Sequence, residues 1–386
     1  MSPDLYYAVS AFNEEATILP CLRSLATQTT DSKVETLVCI DGSTDQTEER
    51  VLDAQRQFKK LNIRLVSSGN GKSVAQNSMV RSVDDRSAPI VFVDGDVVLD
   101  PVCVKLLERD VRSIPKLIVV GAWPIPYWRE DFSVWQQFLF EVLHARALHP
   151  QAETAVHDVS DFKWYWQLNP QTRVSPEFER RSKTYFHART FLLRGSEYFD
   201  LPDDANYADD TFIANRLHTR YGPGVIRTRY DAIAYYRPYL SIRQHFNAYR
   251  RIYADLRRID QIGAFGKSRR LEATKLDWKY IRSCGLRAWI DFSMYVLIRQ
   301  AERALFRLLP VSTLANLWKE EKVNGQPAWR LTVGSTSKSF SSSLHQLVST
   351  SECNGRSSSM AGDTLPKELG SRLPDEARQP MIQERS

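Results

Sequence analysis

The sequence predicts an α/β fold with a mostly parallel central sheet flanked by helices, and three observations carry that reading. Short apolar runs alternate with amphipathic stretches through the first third of the chain. Each apolar run stops at a polar, turn-forming cluster, as strands do when they feed a helix. The repeat of strand and helix leaves room for the right-handed crossovers that parallel sheets require.

The elements follow in order. Tyr6–Ser10 predicts a first strand ending in a turn at Asn13-Glu14-Glu15, then a helix over about Ala16–Thr27 with Ile18, Leu19, Leu22 and Leu25 on one face. Val34–Ile40 predicts a second strand running into Asp41-Gly42-Ser43-Thr44-Asp45. Ser43 or Thr44 is then expected to cap a helix reaching Lys60. Ile63–Val66 is a third strand, Gly71–Val83 a third helix, and Ile90–Val93 a fourth strand stopping at Asp94-Gly95-Asp96. Ligands of such sheets bind beyond the carboxyl ends of the strands, so Ser10–Asn13, Asp41 and Asp94–Asp96 are expected to gather on one edge. Further on, helices are expected near Val134–Leu148, Asp209–Arg220, Ser241–Ile259 and Trp289–Leu309.

Composition sets the limits. A chain of 386 residues with 42% apolar and 25% charged residues can bury a large core, which excludes fibrous, collagenous and wholly disordered classes. The net charge of +6 is uneven, because Arg227–Lys275 holds about twelve Lys/Arg against about four Asp/Glu. Five cysteines, Cys21, Cys39, Cys103, Cys284 and Cys353, show no C-x-x-C spacing and argue against a disulfide framework or thiolate zinc site. The opening Met1-Ser2-Pro3-Asp4 has no basic region leading into an apolar one, so no signal peptide is expected. The most apolar run, Ala288–Ile298, contains Asp291 and is about half the ~20 residues needed to span a bilayer. After about Ser335 the composition turns to Ser, Thr, Gly, Pro and charge, and disorder is expected there.

Several residues could carry chemistry. Asp94 and Asp96, one residue apart at the end of a buried strand, can share a hard divalent cation such as Mg²⁺ or Mn²⁺, with Gly95 leaving room for a nucleotide. The bland reading is a polar loop after a strand. Asp41 can accept a hydrogen bond from a base or ribose, or serve only in a turn. Gly69-Asn70-Gly71-Lys72-Ser73 is not a P-loop, since Val66 stands where that motif needs its first glycine. Lys72 is either a point charge beside a diphosphate or a solvated lysine at a helix start. Asp209-Asp210 opens a helix, where the dipole favours acids. Two carboxylates so close can also raise one pKa and supply a general base. Phe162-Lys163-Trp164-Tyr165-Trp166 offers flat rings for sugar stacking, or for core packing. No nucleic-acid-binding motif is present.

Taken together, these stretches resemble family 2 glycosyltransferases of the GT-A fold. The resemblance rests on Val9-Ser10-Ala11-Phe12-Asn13-Glu14-Glu15, Ile40-Asp41-Gly42-Ser43-Thr44-Asp45-Gln46-Thr47, Gly71-Lys72-Ser73-Val74-Ala75-Gln76-Asn77 and Val93-Asp94-Gly95-Asp96, in that order. Asp209-Asp210 resembles the family's Glu-Asp pair, and Asn247-Ala248-Tyr249-Arg250-Arg251 its Gln-x-x-Arg-Trp motif. The resemblance implies a nucleotide-sugar donor, UDP by family habit, and inverting transfer to a glycan, lipid-linked or small-molecule acceptor. It implies that Ser10, Phe12 and Glu14 line the nucleobase pocket and that Asp41 bonds base or ribose. Asp94 would sit by ribose and metal, Asp96 would bind the metal, Asp210 would be the base, and Arg250 would lie near diphosphate or acceptor.

Three departures shape the expectation. Gln76 stands where the family often has Arg, and Asp209 replaces Glu. Asn247 and Arg251 replace the Gln and Trp typical of processive synthases, so transfer of a single sugar is expected. The expected layout is a catalytic domain over 1–240, with a nucleotide-binding half 1–118 and an acceptor-binding half 119–240. A helical region over 241–334 and a disordered tail over 335–386 follow. The basic stretch and the amphipathic Trp289–Leu309 segment make a peripheral contact with the cytoplasmic face of a membrane one reading, and a solvated basic face the other. Two alternative functions stand beside transfer. One is a haloacid-dehalogenase-type phosphatase using Asp94 as nucleophile, although that motif belongs on a first strand. The other is a non-catalytic binding protein on the same fold.

Overall fold

The computed structural model describes residues 2–68, 71–127, 131–148, 153–154, 185–202, 209–262 and 275–308. All of these fall within one compact unit, Met1–Glu352. The aromatic segment 162–166 and the tail from 335 lie outside the described residues.

The first half alternates as the sequence predicts: β1 (Leu5–Ala11), α1 (Ile18–Ala26), β2 (Val34–Ile40), α2 (Thr47–Gln57), β3 (Ile63–Ser67), α3 (Lys72–Arg81), β4 (Pro89–Asp94), β5 (Val97–Leu99), α4 (Cys103–Ser113) and β6 (Val119–Pro126). The second half brings α5 (Val134–Leu143), α6 (Ala145–Leu148), β7 (Glu153–Thr154), β8 (Thr190–Arg194), α7 (Asp209–Tyr221), β9 (Ile226–Tyr236), α8 (Ile242–Ile262), β10 (Lys275–Leu276), α9 (Trp278–Ser283) and α10 (Leu286–Leu308). Among the described residues no helix is long and apolar enough to cross a membrane.

Eight strands form one sheet in the order β3-β2-β1-β4-β8-β6-β9-β5. The β3-β2-β1-β4 half is parallel throughout. Beyond it the sheet is mixed: β8 runs antiparallel to both β4 and β6, β6 and β9 are parallel, and β5 is antiparallel to β9. β1 shows why the first half is legible. Its side chains alternate, with Tyr7 and Val9 packing on Ile18 and Leu22 of α1 and on Val104 and Leu107 of α4. Tyr6 and Ala8 face the other way, onto Ala75 and Met79 of α3 and Phe212 and Ile213 of α7. A strand buried on both faces reads as a continuous apolar run, as this one does.

Two expectations change on contact with the structure. Ser43 and Thr44 do not cap α2: Ser43 Oγ accepts the Asn13 N–H and Thr44 donates its N–H to Asn13 Oδ1. Asp45 takes the capping duty, its Oδ1 accepting the Thr47 N–H at 3.0 Å. The reason is competition, since the β1 loop offers the two hydroxyl residues a partner that a helix end cannot match. The basic stretch also divides. Arg227 and Arg229 lie in the interior, where Arg229 is fully buried. Arg229 donates to Asp110 of α4 and to Asp231, and Arg227 lies 3.5 Å from the other Asp110 oxygen. These two cations therefore hold α4 against β9 and present nothing to an outside partner.

Breaking a buried ion pair from one side leaves an uncompensated charge, which costs about 3–5 kcal/mol. Asp110→Ala removes the carboxylate that both arginines share, leaving Arg229 with Asp231, and is expected to lower the unfolding free energy by about that amount. Urea unfolding followed by circular dichroism measures it.

Candidate active site

The parallel strands deliver their polar ends to one edge, and the loops there interlock before any ligand is considered. Asn13 adopts a left-handed conformation at φ 53°. From there the Glu14 N–H reaches Thr47 Oγ1 at 2.7 Å and the Glu15 N–H reaches Asp45 Oδ2 at 3.1 Å. Glu15 returns a carboxylate oxygen to the Gln46 N–H at 3.1 Å. The ends of β1 and β2 thus form one bonded platform. Ser10 and Phe12 stand on it, half-buried, and Glu14 accepts the Thr17 hydroxyl at 2.7 Å.

Asp41 has a definite partner. Both its carboxylate oxygens accept the Gly71 N–H, at 2.8 and 2.7 Å, where α3 begins. Gly71 sits at φ 132° and ψ 148°, a conformation open in practice only to glycine. Gly95 is explained by close packing: a Cβ there would lie 3.1 Å from the Ser10 carbonyl oxygen and 3.3 Å from Ala11 Cβ. The Gly95 N–H donates to that carbonyl at 2.9 Å, so the turn is stitched to the end of β1.

The centre of the site is Lys72, the first residue of α3. Its ammonium lies 2.7 Å from Asp94 Oδ1 and 3.0 Å from Asp209 Oδ2. Gln76, one turn further along α3, donates to the same Asp209 oxygen at 2.8 Å. Lys72 is therefore not a solvated lysine. Burial alone would discourage its charge, but the Asp209 and Asp94 carboxylates outweigh that and hold the ammonium above the ordinary lysine range. Burial pushes the Asp94 carboxyl up; Lys72 opposes the shift, while Asp96 and Asp209 add to it.

Asp210 faces a different set of donors. Tyr185 donates its hydroxyl to Asp210 Oδ2 at 2.5 Å, and the Ala188 N–H reaches the same oxygen at 3.2 Å. The Thr211 N–H donates to the other oxygen at 2.7 Å. Burial first, and then the neighbouring Asp209 charge, raise the Asp210 pKa, while the Tyr185 and Thr211 hydrogen bonds pull it back. The two adjacent acids are thus separated in role: Asp209 is bonded to a cation, and Asp210 is raised and hydrogen-bonded.

Asp96 has Arg189 as its ion-pair partner at 3.8 Å. The Arg189 guanidinium rests 3.9 Å over the Tyr236 ring, whose hydroxyl bonds His144 Nδ1 at 2.9 Å. Burial lowers the Arg237 pKa, with the Asp96 and Glu14 charges acting against it. Sequence reasoning missed Tyr185, Arg189 and Arg237. The first two precede β8, and only the antiparallel pairing of β8 with β4, including the Asp94 N–H to the Arg189 carbonyl at 3.0 Å, brings them to the site. Arg250 is buried on α8, which packs on α5 and α10.

The donor chemistry fits a hard divalent cation. Asp94 and Asp96 supply carboxylate oxygens, and among the described residues no group of three or more His, Cys, Asp or Glu side chains is assembled around a metal position. Mg²⁺ and Mn²⁺ tolerate this, because they commonly take one or two carboxylates and complete their shell with phosphate and water.

The parallel α/β edge thus ends in one carboxylate pair, with a second acidic pair held opposite it across Lys72. The model of glycosyl transferase family 2 matches residues 7–167. No match is found among curated protein sequences. Among solved structures the chain is similar to glucosyl-3-phosphoglycerate synthase from Mycobacterium tuberculosis, solved with Mn²⁺, UDP and glucosyl-3-phosphoglycerate. The identity is 18%, covering 66% of this chain and 78% of that one, with a TM-score of 0.42. It is also similar to S. aureus TarS 1-349 in complex with UDP-GlcNAc, at 18% identity, 66% of each chain and a TM-score of 0.39.

Gly71→Ala forces a side chain into a backbone conformation that costs about 1–3 kcal/mol and loosens the Asp41 clamp. A fall of that size in unfolding free energy is expected, measured by chemical denaturation. Asp41→Ala combined with it is expected to add less than its separate effect, because both changes break the same contact.

Proposed function

We propose that this chain transfers a single sugar from a nucleoside-diphosphate sugar, with UDP as the nucleotide, to an acceptor hydroxyl with inversion, and that the reaction depends on Mg²⁺ or Mn²⁺. The observation that carries the reading is the position of Lys72 between Asp94 and Asp209. One ammonium joins the carboxylate pair suited to a metal-diphosphate with the helix start that carries Asp210. A donor bound at the first pair would then present its anomeric carbon toward the second.

In this reading the interlocked β1 and β2 loops, with Ser10, Phe12 and Glu14, hold the nucleobase. Asp41 shapes that pocket through its clamp on Gly71, and its carboxylate also lies where ribose or base would be met. Asp94 and Asp96 hold the cation, which when bound neutralises charge on the departing diphosphate. Lys72, Arg189 and Arg237 add fixed positive charge at the same edge, useful where negative charge develops in a site shielded from water. The acceptor oxygen bonds to the anomeric carbon as the bond to the diphosphate oxygen breaks, and its proton passes to Asp210. A raised pKa suits Asp210 to that task near neutral pH. Attack from the face opposite the leaving group gives inversion. The catalytic portion is taken as 1–240, with 241–334 as an appended helical region.

Nucleoside-diphosphate release from a panel of nucleotide sugars tests the reading, with Mn²⁺ or Mg²⁺ and again with EDTA. Release from a UDP-sugar that EDTA abolishes, and that Asp96→Ala lowers at least about a hundredfold, is the expected result. No release and no metal-dependent nucleotide binding would sink it.

The pH profile supplies a second check. Tyr185→Phe removes a hydrogen bond that favours the charged carboxylate, so the Asp210 pKa should rise further. The acid limb of kcat is expected to move to higher pH, with the plateau largely kept. Asp210→Asn is expected to lose at least about a hundredfold in kcat at every pH.

A further inference from the structure

The helix α10 is built with its acids turned inward. Its buried side carries Ala288, Asp291, Phe292, Tyr295, Glu302 and Phe306. Glu302 accepts from His245 Nδ1 at 2.8 Å and also pairs with Arg299, and Asp291 lies 3.5 Å from Arg287. The only acidic residues between 278 and 308 are these two, and both are buried. What α9 and α10 present outward is apolar, basic or uncharged polar. Lys279, Arg282, Arg303 and Arg307 are all exposed.

The apolar part of that face is ordered. Leu286, Ile290, Met294, Leu297, Leu305 and Leu308 are all exposed, with Leu286 at 72%, Leu297 at 69% and Leu308 at 80%. Ala301, also exposed, completes successive steps of four, four, three, four, four and three residues. Isolated surface leucines need no explanation, but a stripe running the length of a helix does. The mean step of about 3.7 residues is longer than the 3.5 of a left-handed coiled coil and close to the ~3.6 of the helix itself, so the stripe keeps to one side along its length. Tryptophans border it. Trp289, next to Ile290 on the same helix, is exposed, as is Trp278 of α9, and Trp135 of α5 is exposed by 62%. Trp135 stacks on Phe138, the Arg287 guanidinium lies 5.8 Å from that ring, and Arg287 Nε reaches Glu141 at 2.8 Å. α5 and α10 therefore share one surface. Apolar stripe, flanking Trp, surrounding Arg and Lys, and no outward acid on α9 or α10 are the features of a helix that lies in an anionic bilayer interface.

We propose that the outward face of α10, with Trp135 of α5, seats this protein on the surface of an anionic lipid bilayer, the helix lying in the membrane plane. The inference stands apart from the reaction proposed above, because vesicle binding is read without turnover.

The test is co-sedimentation of the full chain with phosphatidylcholine vesicles, with and without phosphatidylglycerol. Binding to the anionic vesicles, and at least about fivefold weaker binding to the neutral ones, is expected. Leu297→Asp should reduce binding to anionic vesicles by about tenfold, since one largely exposed leucine is then withheld from the bilayer. The double change Arg303→Glu and Arg307→Glu should abolish the preference for anionic lipid. Leu65→Asp, at an exposed leucine on β3, should change nothing. Circular dichroism confirms that each variant is folded, and Leu286→Asp serves if Leu297→Asp is not. Brominated lipid should quench the tryptophan fluorescence of the wild type more than that of the leucine variant. Failure of the wild type to bind anionic vesicles overturns the proposal, as does wild-type binding by the leucine variants. A dimer in light scattering that Leu297→Asp dissociates would also overturn it, by assigning the face to a second copy.

Discussion

An ammonium ion placed between two carboxylates more than a hundred residues apart in sequence organises this molecule. Lys72 opens α3, Asp94 closes β4 and Asp209 opens α7, so one side chain fixes the mutual position of three elements, the last of them more than a hundred residues beyond the other two. Without that cation, buried acids would face one another across the sheet edge, and low-dielectric repulsion would drive protons onto them or the elements apart. Gln76 then finds a natural role. As a neutral donor to Asp209 it adds a hydrogen bond without adding a second positive charge, leaving Lys72 as the cation on that carboxylate.

The parallel half of the fold was legible because its strands are buried on both faces and its turns carry their own chemistry. Leu5–Ala11 and Val34–Ile40 read as apolar runs, and the observed boundaries fall within a residue or two of those the runs predict. The polar clusters at Asn13 and Asp41–Asp45 marked the right edge, although the particular bonds among them could not be read. Which hydroxyl caps a helix and which answers a neighbouring loop depends on a tertiary contact, and Ser43 chose the loop. Charge counting failed for the same reason at Arg227 and Arg229. A basic residue is exposed by default, and only the presence of Asp110 on a packed helix makes burial tolerable.

The candidate site was legible where its residues end strands and illegible where they enter from elsewhere. Asp94, Asp96 and Lys72 gather as strand order alone would suggest. Arg189 and Tyr185 do not announce themselves, since their place depends on a strand that runs against its neighbours. Arg250 comes from a motif rather than from a strand end, and the structure places it, buried, on a helix packed against α5 and α10.

The insertion of β8 between β4 and β6 has a consequence for how the chain assembles. Its register pairs Pro89 with Arg194, about a hundred residues apart, so closing that loop comes at a large entropic cost before any local reward. A ribosome releasing the chain from its amino end would complete β3-β2-β1-β4 first and leave β4 as an unpaired edge. During that interval the molecule has its carboxylate pair but neither Tyr185 nor Arg189, and its bare strand is open to pairing with another chain. The step that completes the site is therefore also the step that removes the main opportunity for aggregation.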